Sequence, residues 1–507
     1  MNTIKLALAG AALATGLAAC SDSSDNSNPC KGQEVSSTRL FLQQLTDTSV
    51  IVKWRGDATA ACLGASADAL DTYAEATATE GDHKEVLFTG LSPQTTYYYS
   101  VGGASAAPAD QVFTTAPTSG ELPADGNTRL WIIGDSGTGG DDEREEHEGE
   151  AAEVLEGMRT YIATDGEPVD LFLMLGDNAY EVGSDFNYQQ AVFELYTQLL
   201  KQTSVWPTIG NHEMGIGFLN DTIPIGGFAD GSDPDNWLET ADSDPSTMPF
   251  LDIFTLPTAG EAGGVPSGTE QYFSIDYGNV HVVNLDSQLS ARDPDQMATM
   301  RDWLIDDLSS NTLDWTVVIF HHPPYSKGAN HDSDDAEKLG GFDLPQKDMR
   351  EQFVPLFDEY GVDLVYNGHS HSYERSYYLH DHTGTSDTFT PAQHAELVNG
   401  DPAMPSTGRG DQAYAQLSPT SGGVDDRVVY TTAGNSGKAD SSAGALTAPE
   451  VWLRHPAHVV QPADTEEPKR NGLAVIGSVL VDASANSLTA RFIDKNGAVL
   501  DSFVITR

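Results

Sequence analysis

Gly368-His-Ser-His-Ser-Tyr-Glu-Arg-Ser376 follows directly on the apolar run 362–366, which reads as a buried strand. Two histidines two positions apart, just past a strand end, can both turn inward toward a pair of metal ions. By itself such a tetrapeptide is weak evidence of a metal site. Further blocks precede it in the chain: Gly134-Asp-Ser-Gly137, Gly176-Asp-Asn-Ala-Tyr180, Gly210-Asn-His-Glu213 and Val318-Ile-Phe-His-His-Pro-Pro-Tyr325. Each follows or ends a strand-like apolar run. Taken singly, an Asp beside a Gly after a strand is a turn or cap residue. Tyr180 alone reads as packing, and Asn211 with His212 as a turn. Their joint occurrence, in order and each at a strand end, overrides those readings.

The blocks resemble the GDxG, GDxxY, GNHE, VxxH and GHxH series of the metallophosphoesterases, and the extended GHSHSYERS resembles the purple acid phosphatase branch in particular. The resemblance covers roughly 128–437 and is extended to the C-terminus. It implies an α/β sandwich of two packed mixed sheets flanked by helices, with a dinuclear centre on loops past the carboxyl ends of strands. Two such ions need hard oxygen donors, imidazole, and a bridging carboxylate to hold them about 3.5–4 Å apart. The resemblance makes Asp177 that bridge. It assigns Asp135, Asp177, Tyr180 and His371 to the first metal, and Asp177, Asn211, His321 and His369 to the second. Many metallophosphoesterases carry a histidine two residues after the first Asp, where this chain has Gly137. Tyr180 is placed to supply a phenolate instead. Phenolate favours a hard, highly charged ion, so the expected cofactors are Fe(III) at the Tyr180 site and Zn, Mn or Fe(II) at the second.

His212 matches the substrate-facing histidine of GNHE, and His331 falls where the purple branch places another outer histidine. Either could donate to phosphoryl oxygens or protonate a leaving alkoxide. Of the adjacent pair, the VxxH register selects His321 as ligand. His322 then orients it or contacts it from outside. His83, His147, His281, His380, His382, His394, His455 and His458 have no such support and read as surface or core. The implied reaction is hydrolysis of a phosphate monoester by a metal-bound hydroxide attacking in line, as in an acid phosphatase, without a covalent phosphoenzyme. A phosphodiesterase or nucleotide hydrolase on the same site is the first alternative. A catalytically inert, surface-anchored binding protein is the second, and the full set of expected ligands counts against it.

Upstream of the catalytic blocks, 35–116 reads as β throughout, with β-rich runs separated by turn residues. Its LxPxTxYxYxV pattern over 91–101 resembles fibronectin type III domains, so an all-β sandwich is expected there. The alternation puts Tyr97, Tyr99 and Val101 on one face and Tyr98 and Ser100 on the other. Residues 117–127, rich in Pro, Gly and small polar residues, form a linker to a catalytic domain spanning 128–507. There strands are expected at 130–133, 170–175, 205–209, 272–276, 280–285, 315–320 and 362–366. Helices are expected at about 145–161, 186–202, 294–308 and 347–360, and short strands over 473–507. The Gly-, Pro-, Asp- and Ser-rich segments 217–268 and 381–425 read as long loops bordering the mouth of the site.

The N-terminus reads as a targeting segment, with Lys5 before the apolar run 6–17. Leu17-Ala-Ala-Cys20 resembles a bacterial lipobox. Residues 1–19 are then a signal peptide, Cys20 the lipidated N-terminus and 20–34 a polar tether. The expected location is the cell envelope or outside, with membrane contact only through Cys20. Cys30 and Cys62 are left as one possible disulfide in an oxidising compartment. Across 507 residues, Lys and Arg number 26 against 76 Asp and Glu, for a formal charge of -50. Such a surface repels a polyanion, so nucleic acid is not an expected partner. The acidic stretch 141–150 reads as a solvated loop and helix start rather than a calcium site. The substrate is expected to be a phosphorylated small molecule or an exposed phosphoester.

Overall fold

The computed structural model describes residues 28–32, 35, 37–137, 150–180, 183–214, 248–336, 343–416, 427–441 and 445–507. The N-terminal β region is two four-stranded sheets. One sheet runs Ser37–Gln43, Ser49–Gly56, His83–Thr89, Thr77–Ala78, and the other Thr72–Glu75, Ala60–Gly64, Thr96–Val101, Val112–Thr114. Their facing sides share one core containing Leu42, Val50, Val52, Trp54, Tyr99, Val101 and Phe113. Tyr97 packs against this core, and its hydroxyl accepts from the Ser92 backbone N–H at 3.0 Å, tying down the turn that precedes the strand. Tyr98 faces the other way, but not into water. It covers a small cluster around Cys30 and Cys62, which are joined in a disulfide.

The catalytic part is built on two seven-stranded sheets packed face to face. In the first, Val205–Pro207, Leu171–Met174 and Thr128–Ile133 run parallel, and Gly477–Ala483, Ser487–Asp494 and Val499–Thr506 extend it antiparallel. In the second, Phe273–Tyr277 forms a hairpin with Val280–Asn284, followed in parallel by Trp315–Ile319, Leu364–Asn367 and Val428–Ala433. Tyr373–Leu379 continues that sheet antiparallel, and the short strand Gly472–Leu473 closes it. Strands of the parallel region are buried at every position and mostly apolar, because both faces are covered. Trp315, Val317 and Ile319 point into the core between the sheets. Val318 points outward, against Met300, Trp303 and Leu304 of the helix Pro294–Ser310 and Phe353 and Phe357 of 349–360. Period-2 alternation alone makes this division.

Several expectations need correction. The segment 248–268 is not a loop at the mouth. It holds the helix Pro249–Ile253, and Met248, Phe250, Ile253, Phe254 and Leu256 are buried in the main core. Apolar spacing outweighed the Gly and Pro content there, and Thr255 bonds Gln43 and Lys53 of the β region. Residues 215–247, the acidic 141–149 and His147 lie outside the described residues, as do the signal, lipobox and most of the tether. Segment 381–416 is a chain of short helical turns ending in the edge strand Tyr414–Ala415, and 417–425 is not described. The helix expected at 186–202 is Asp185–Tyr188, a π turn at Gln189–Glu194 and a final turn at Thr197–Leu200. The first helix spans Glu150–Asp165.

The β region is fastened to the catalytic part by polar contacts around one carboxylate. Asp185 takes Arg39 at 2.6 Å and Arg55 at 2.7 Å. Despite partial burial, these two guanidiniums hold its carboxyl down at about 2. Phe41 enters the main core beside Phe193, with ring centroids 5.0 Å apart.

His281 is a core residue with two partners: Asp276 at 2.8 Å on Nδ1 and Asp307 at 2.9 Å on Nε2. Burial opposes its charge, but the hydrogen bonds and charges of both carboxylates push it up to about 9. A raised folded pKa contributes stability that is full below the ordinary value near 6.5 and lost as pH rises through about 9. The rise corresponds to about 3 kcal/mol at most. His281→Asn should therefore destabilise the protein at pH 6, and its deficit relative to wild type should shrink between pH 7 and 10 in denaturant titrations.

Candidate metal centre

Parallel strands bring their carboxyl ends to one edge, and the candidate ligands collect there. Asp135 follows Thr128–Ile133, Asp177 follows Leu171–Met174, and Asn211 follows Val205–Pro207. His321 follows Trp315–Ile319 in the facing sheet, and His369 and His371 follow Leu364–Asn367. Asp135, Asp177 and His369 sit at positive φ, 52°, 51° and 67°. This left-handed conformation is costly for residues with a Cβ, and its concentration at candidate ligands is the kind of strain found at functional sites. The glycine before each is required by crowding. A Cβ on Gly368 would lie 2.4 Å from Asp135 Oδ2, and one on Gly176 would lie 2.7 Å from His321 Nδ1.

Asn211 Oδ1 lies 2.9 Å from both His321 Nε2 and His369 Nδ1, and those nitrogens are 3.2 Å apart. His321 Nδ1 faces the Leu175 carbonyl at 2.8 Å, and His369 Nε2 faces Asp343 at 2.8 Å. Those oxygens accept from the outer nitrogens, so in the neutral rings the inner nitrogens carry lone pairs. Three acceptors facing one another call for a proton or a cation between them. Burial opposes a charge on His321, but the Asp177 carboxylate pushes it up to about 9. Asp177 Oδ2 lies 3.4 Å from His321 Nε2 and 3.3 Å from the Tyr180 hydroxyl, so it spans both halves of the site. On the other half, the Tyr180 hydroxyl is 3.2 Å from Asp135 Oδ1 and 3.3 Å from His371 Nε2. The seven candidate ligands thus meet in one place, and carboxylate, phenol, amide and imidazole donors suit two hard or borderline cations.

The other predicted histidines are placed as follows. His212 donates its backbone N–H to Asp177 Oδ1 at 2.8 Å, and its ring meets the Tyr180 ring edge-on at 4.5 Å between centroids. His331 lies against His369, centroids 3.8 Å apart. His322 is buried between His321 and His369, with Ser287 Oγ 2.9 Å from its Nδ1 and, among the described residues, no hydrogen-bond partner on Nε2. Burial, then the neighbouring His369, pushes it well below the ordinary histidine value. It also lies close enough to His321 and His369 to share an ion with them.

Asp343 and Asp440 shape the site from outside every motif, and Glu213, Glu374 and Arg375 do so from inside the GNHE and GHSHSYERS blocks. Asp343 accepts from His369 and also sits 3.1 Å from His331 Nδ1, so one carboxylate orients a candidate ligand and a candidate substrate contact. Burial opposes its ionisation, but His331 and His369 hold it well below the usual range. Asp440 lies 3.1 Å from His371 Nδ1 and fixes that ring in the same way. Glu213, the last residue of the GNHE block, is buried and accepts from the backbone N–H groups of Asp177, Asn178 and Gly210 at 2.7–2.8 Å. It clamps the turn that presents Asp177. Burial and the Asp177 charge push it up to about 7. Glu374 of GHSHSYERS accepts from Ser326, Ser372 and the Lys327 backbone. Arg375 reaches Asp501 at 2.8 Å, with both side chains fully buried.

Residues 128–373 match the calcineurin-like phosphoesterase family. The chain is 25% identical over 316 residues to purple acid phosphatase 15 of Arabidopsis thaliana, covering 59% of this chain and 50% of that protein. This chain thus spans about half the length of that relative. The fold is similar to that of a purple acid phosphatase from yellow lupin seeds, with a TM-score of 0.62 and 18% identity over 93% of this chain and 74% of that one. It is similar also to PhoD, with a TM-score of 0.54 and 13% identity over 96% of this chain and 92% of that one.

Proposed function

The chain carries a calcineurin-like metallophosphoesterase domain with purple acid phosphatase homologues, and on that premise we propose that it hydrolyses phosphate monoesters at a dinuclear metal centre. The observation that carries this reading is the convergence of Asp135, Asp177, Tyr180, Asn211, His321, His369 and His371, with imidazole nitrogens turned inward. Asp135, Asp177, Tyr180 and His371 would hold one ion, Fe(III) in our reading. Asp177, Asn211, His321 and His369 would hold the second, Zn, Mn or Fe(II). When bound, the ions supply positive charge to the phosphoryl oxygens and activate water.

The chain's own residues do the rest. The His212 and His331 side chains are 16% and 14% exposed, against 0–3% for His321, Asp177 and His369. They therefore reach the mouth, as His371 does at 13%, while His321, Asp177 and His369 stay dry behind them. From there either can donate to a phosphoryl oxygen or give a proton to the departing alkoxide oxygen. The Asp177 carboxylate, accepting from the His212 backbone N–H, sets where His212 stands, and Asp343 sets His331. Monoesters are chosen over diesters by the likeness to acid phosphatases. Export and anchoring through Cys20 belong to the same proposal, supported by the Cys30–Cys62 disulfide, which suits an oxidising compartment.

His212→Ala tests the assignment. Turnover of 4-nitrophenyl phosphate should fall roughly 10²-fold or more, the usual scale for a lost proton donor. Metal content by elemental analysis should not change, and chelator should silence wild type. Loss of an ion in the variant would make His212 a ligand and redraw the site.

A further inference from the structure

Lys438 stands apart among the cations of this acidic chain. It is 7% exposed, and its ammonium lies 4.0 Å from the centroid of the Tyr180 ring. Among the described residues it makes no ion pair and no hydrogen bond. A ring face compensates only part of what burial costs an ammonium lacking a counter-ion.

The loop that carries Lys438 is pinned on both sides to the candidate centre. The Ser436 backbone N–H donates to the Gly134 carbonyl at 3.0 Å, next to Asp135. Its hydroxyl accepts from the Gly134 N–H at 3.2 Å. Two residues beyond Lys438, the Asp440 N–H donates to the His371 carbonyl at 3.0 Å. A Cβ at Gly434, where the loop leaves its strand, would lie 2.6 Å from Asp135 Oδ2, so the loop rests directly on the site. Lys438 and His212 therefore both flank the Tyr180 ring.

We infer that Lys438 is a specificity-determining residue, an ammonium that pairs with the second negative charge of a phosphate monoester dianion and so favours monoesters over diesters. This rests on the phosphoesterase reading above. A diester presents one charge where a monoester near neutral pH presents two, so the cation contributes to one substrate class and little to the other. The Tyr180 ring face holds the ammonium in place, and among the described residues no carboxylate within ion-pair distance cancels it, although Asp440 acts on it from two residues along the loop.

The test uses the metal-loaded protein with Lys438→Met, which keeps the stem, and Lys438→Arg, which keeps the charge. For the Met variant, kcat/KM on 4-nitrophenyl phosphate should fall roughly 10- to 100-fold, the scale of one charge-assisted contact. On methyl 4-nitrophenyl phosphate it should change by less than about 3-fold, and the Arg variant should recover most of the monoester rate. Inorganic phosphate should bind the Met variant more weakly by a similar factor in calorimetry. An equal fall on both esters, or none on either, overturns the assignment. A wild type inert on both esters removes the phosphoesterase reading instead. Phosphate binding then decides Lys438 alone, and unchanged affinity in the Met variant overturns its role.

Discussion

Tyr180→Phe should bleach the protein. If Fe(III) occupies the half of the site holding the Tyr180 hydroxyl, purified wild type is pink to purple when oxidised, through charge transfer from phenolate to metal. The substitution leaves the ring between Lys438 and His212 but removes the oxygen that lies 3.2 Å from Asp135 and 3.3 Å from His371. The visible band should vanish, and the first ion should be held at least 10- to 100-fold more weakly, since even loss of an outer contact typically costs that much. The second half keeps Asn211, His321 and His369, so one ion per chain should remain. An absorption spectrum with metal analysis reads both effects. A colourless wild type that is active with two other metals removes iron and leaves the dinuclear centre. Colour that survives in the variant assigns the chromophore to a different ligand.

The second large effect lies away from the centre, at Asp501. This carboxylate takes Arg375 at 2.8 Å and Arg409 at 2.7 Å, and the Tyr373 hydroxyl donates to it at 3.0 Å. Asp501→Ala leaves the fully buried Arg375 guanidinium without a counter-ion, which costs about 3–5 kcal/mol. Denaturant unfolding should show a loss of that size. Because Tyr373 and Arg375 follow His371 closely in the chain, metal retention should weaken too. A loss under about 1 kcal/mol would mean that water or a neighbouring group compensates the charge. Asp501→Asn, which keeps an acceptor, should fall between the two.

Much of the site could be read in the chain because its ligands come from turns with strict local demands. Asp135, Asp177 and His369 each follow a glycine that crowding requires, so the chemistry and its turn are written side by side. Strand positions were legible for a similar reason: burial on both faces leaves runs such as 315–319 apolar at all but one position. The short strands expected over 473–507 are present, but which sheet they join is decided by tertiary pairing: Gly477–Ala483 pairs with Thr128–Ile133, and Ser487–Asp494 and Val499–Thr506 follow it outward. What could not be read were the partners drawn from far along the chain. Asp343 meets His369 across 26 positions and Asp440 meets His371 across 69, and neither stands in a motif. Segment 248–268 reads as loop because it ends a longer Gly-, Pro-, Asp- and Ser-rich stretch, while its apolar residues fill a gap between the β region and the catalytic sheets. Lys438 was one lysine among the 26 basic residues until the loop folded it onto Tyr180. Local backbone geometry and period-2 burial are encoded within a few residues. The charge placed beside the centre depends on which strand ends the two sheets bring together, and only the tertiary structure decides that.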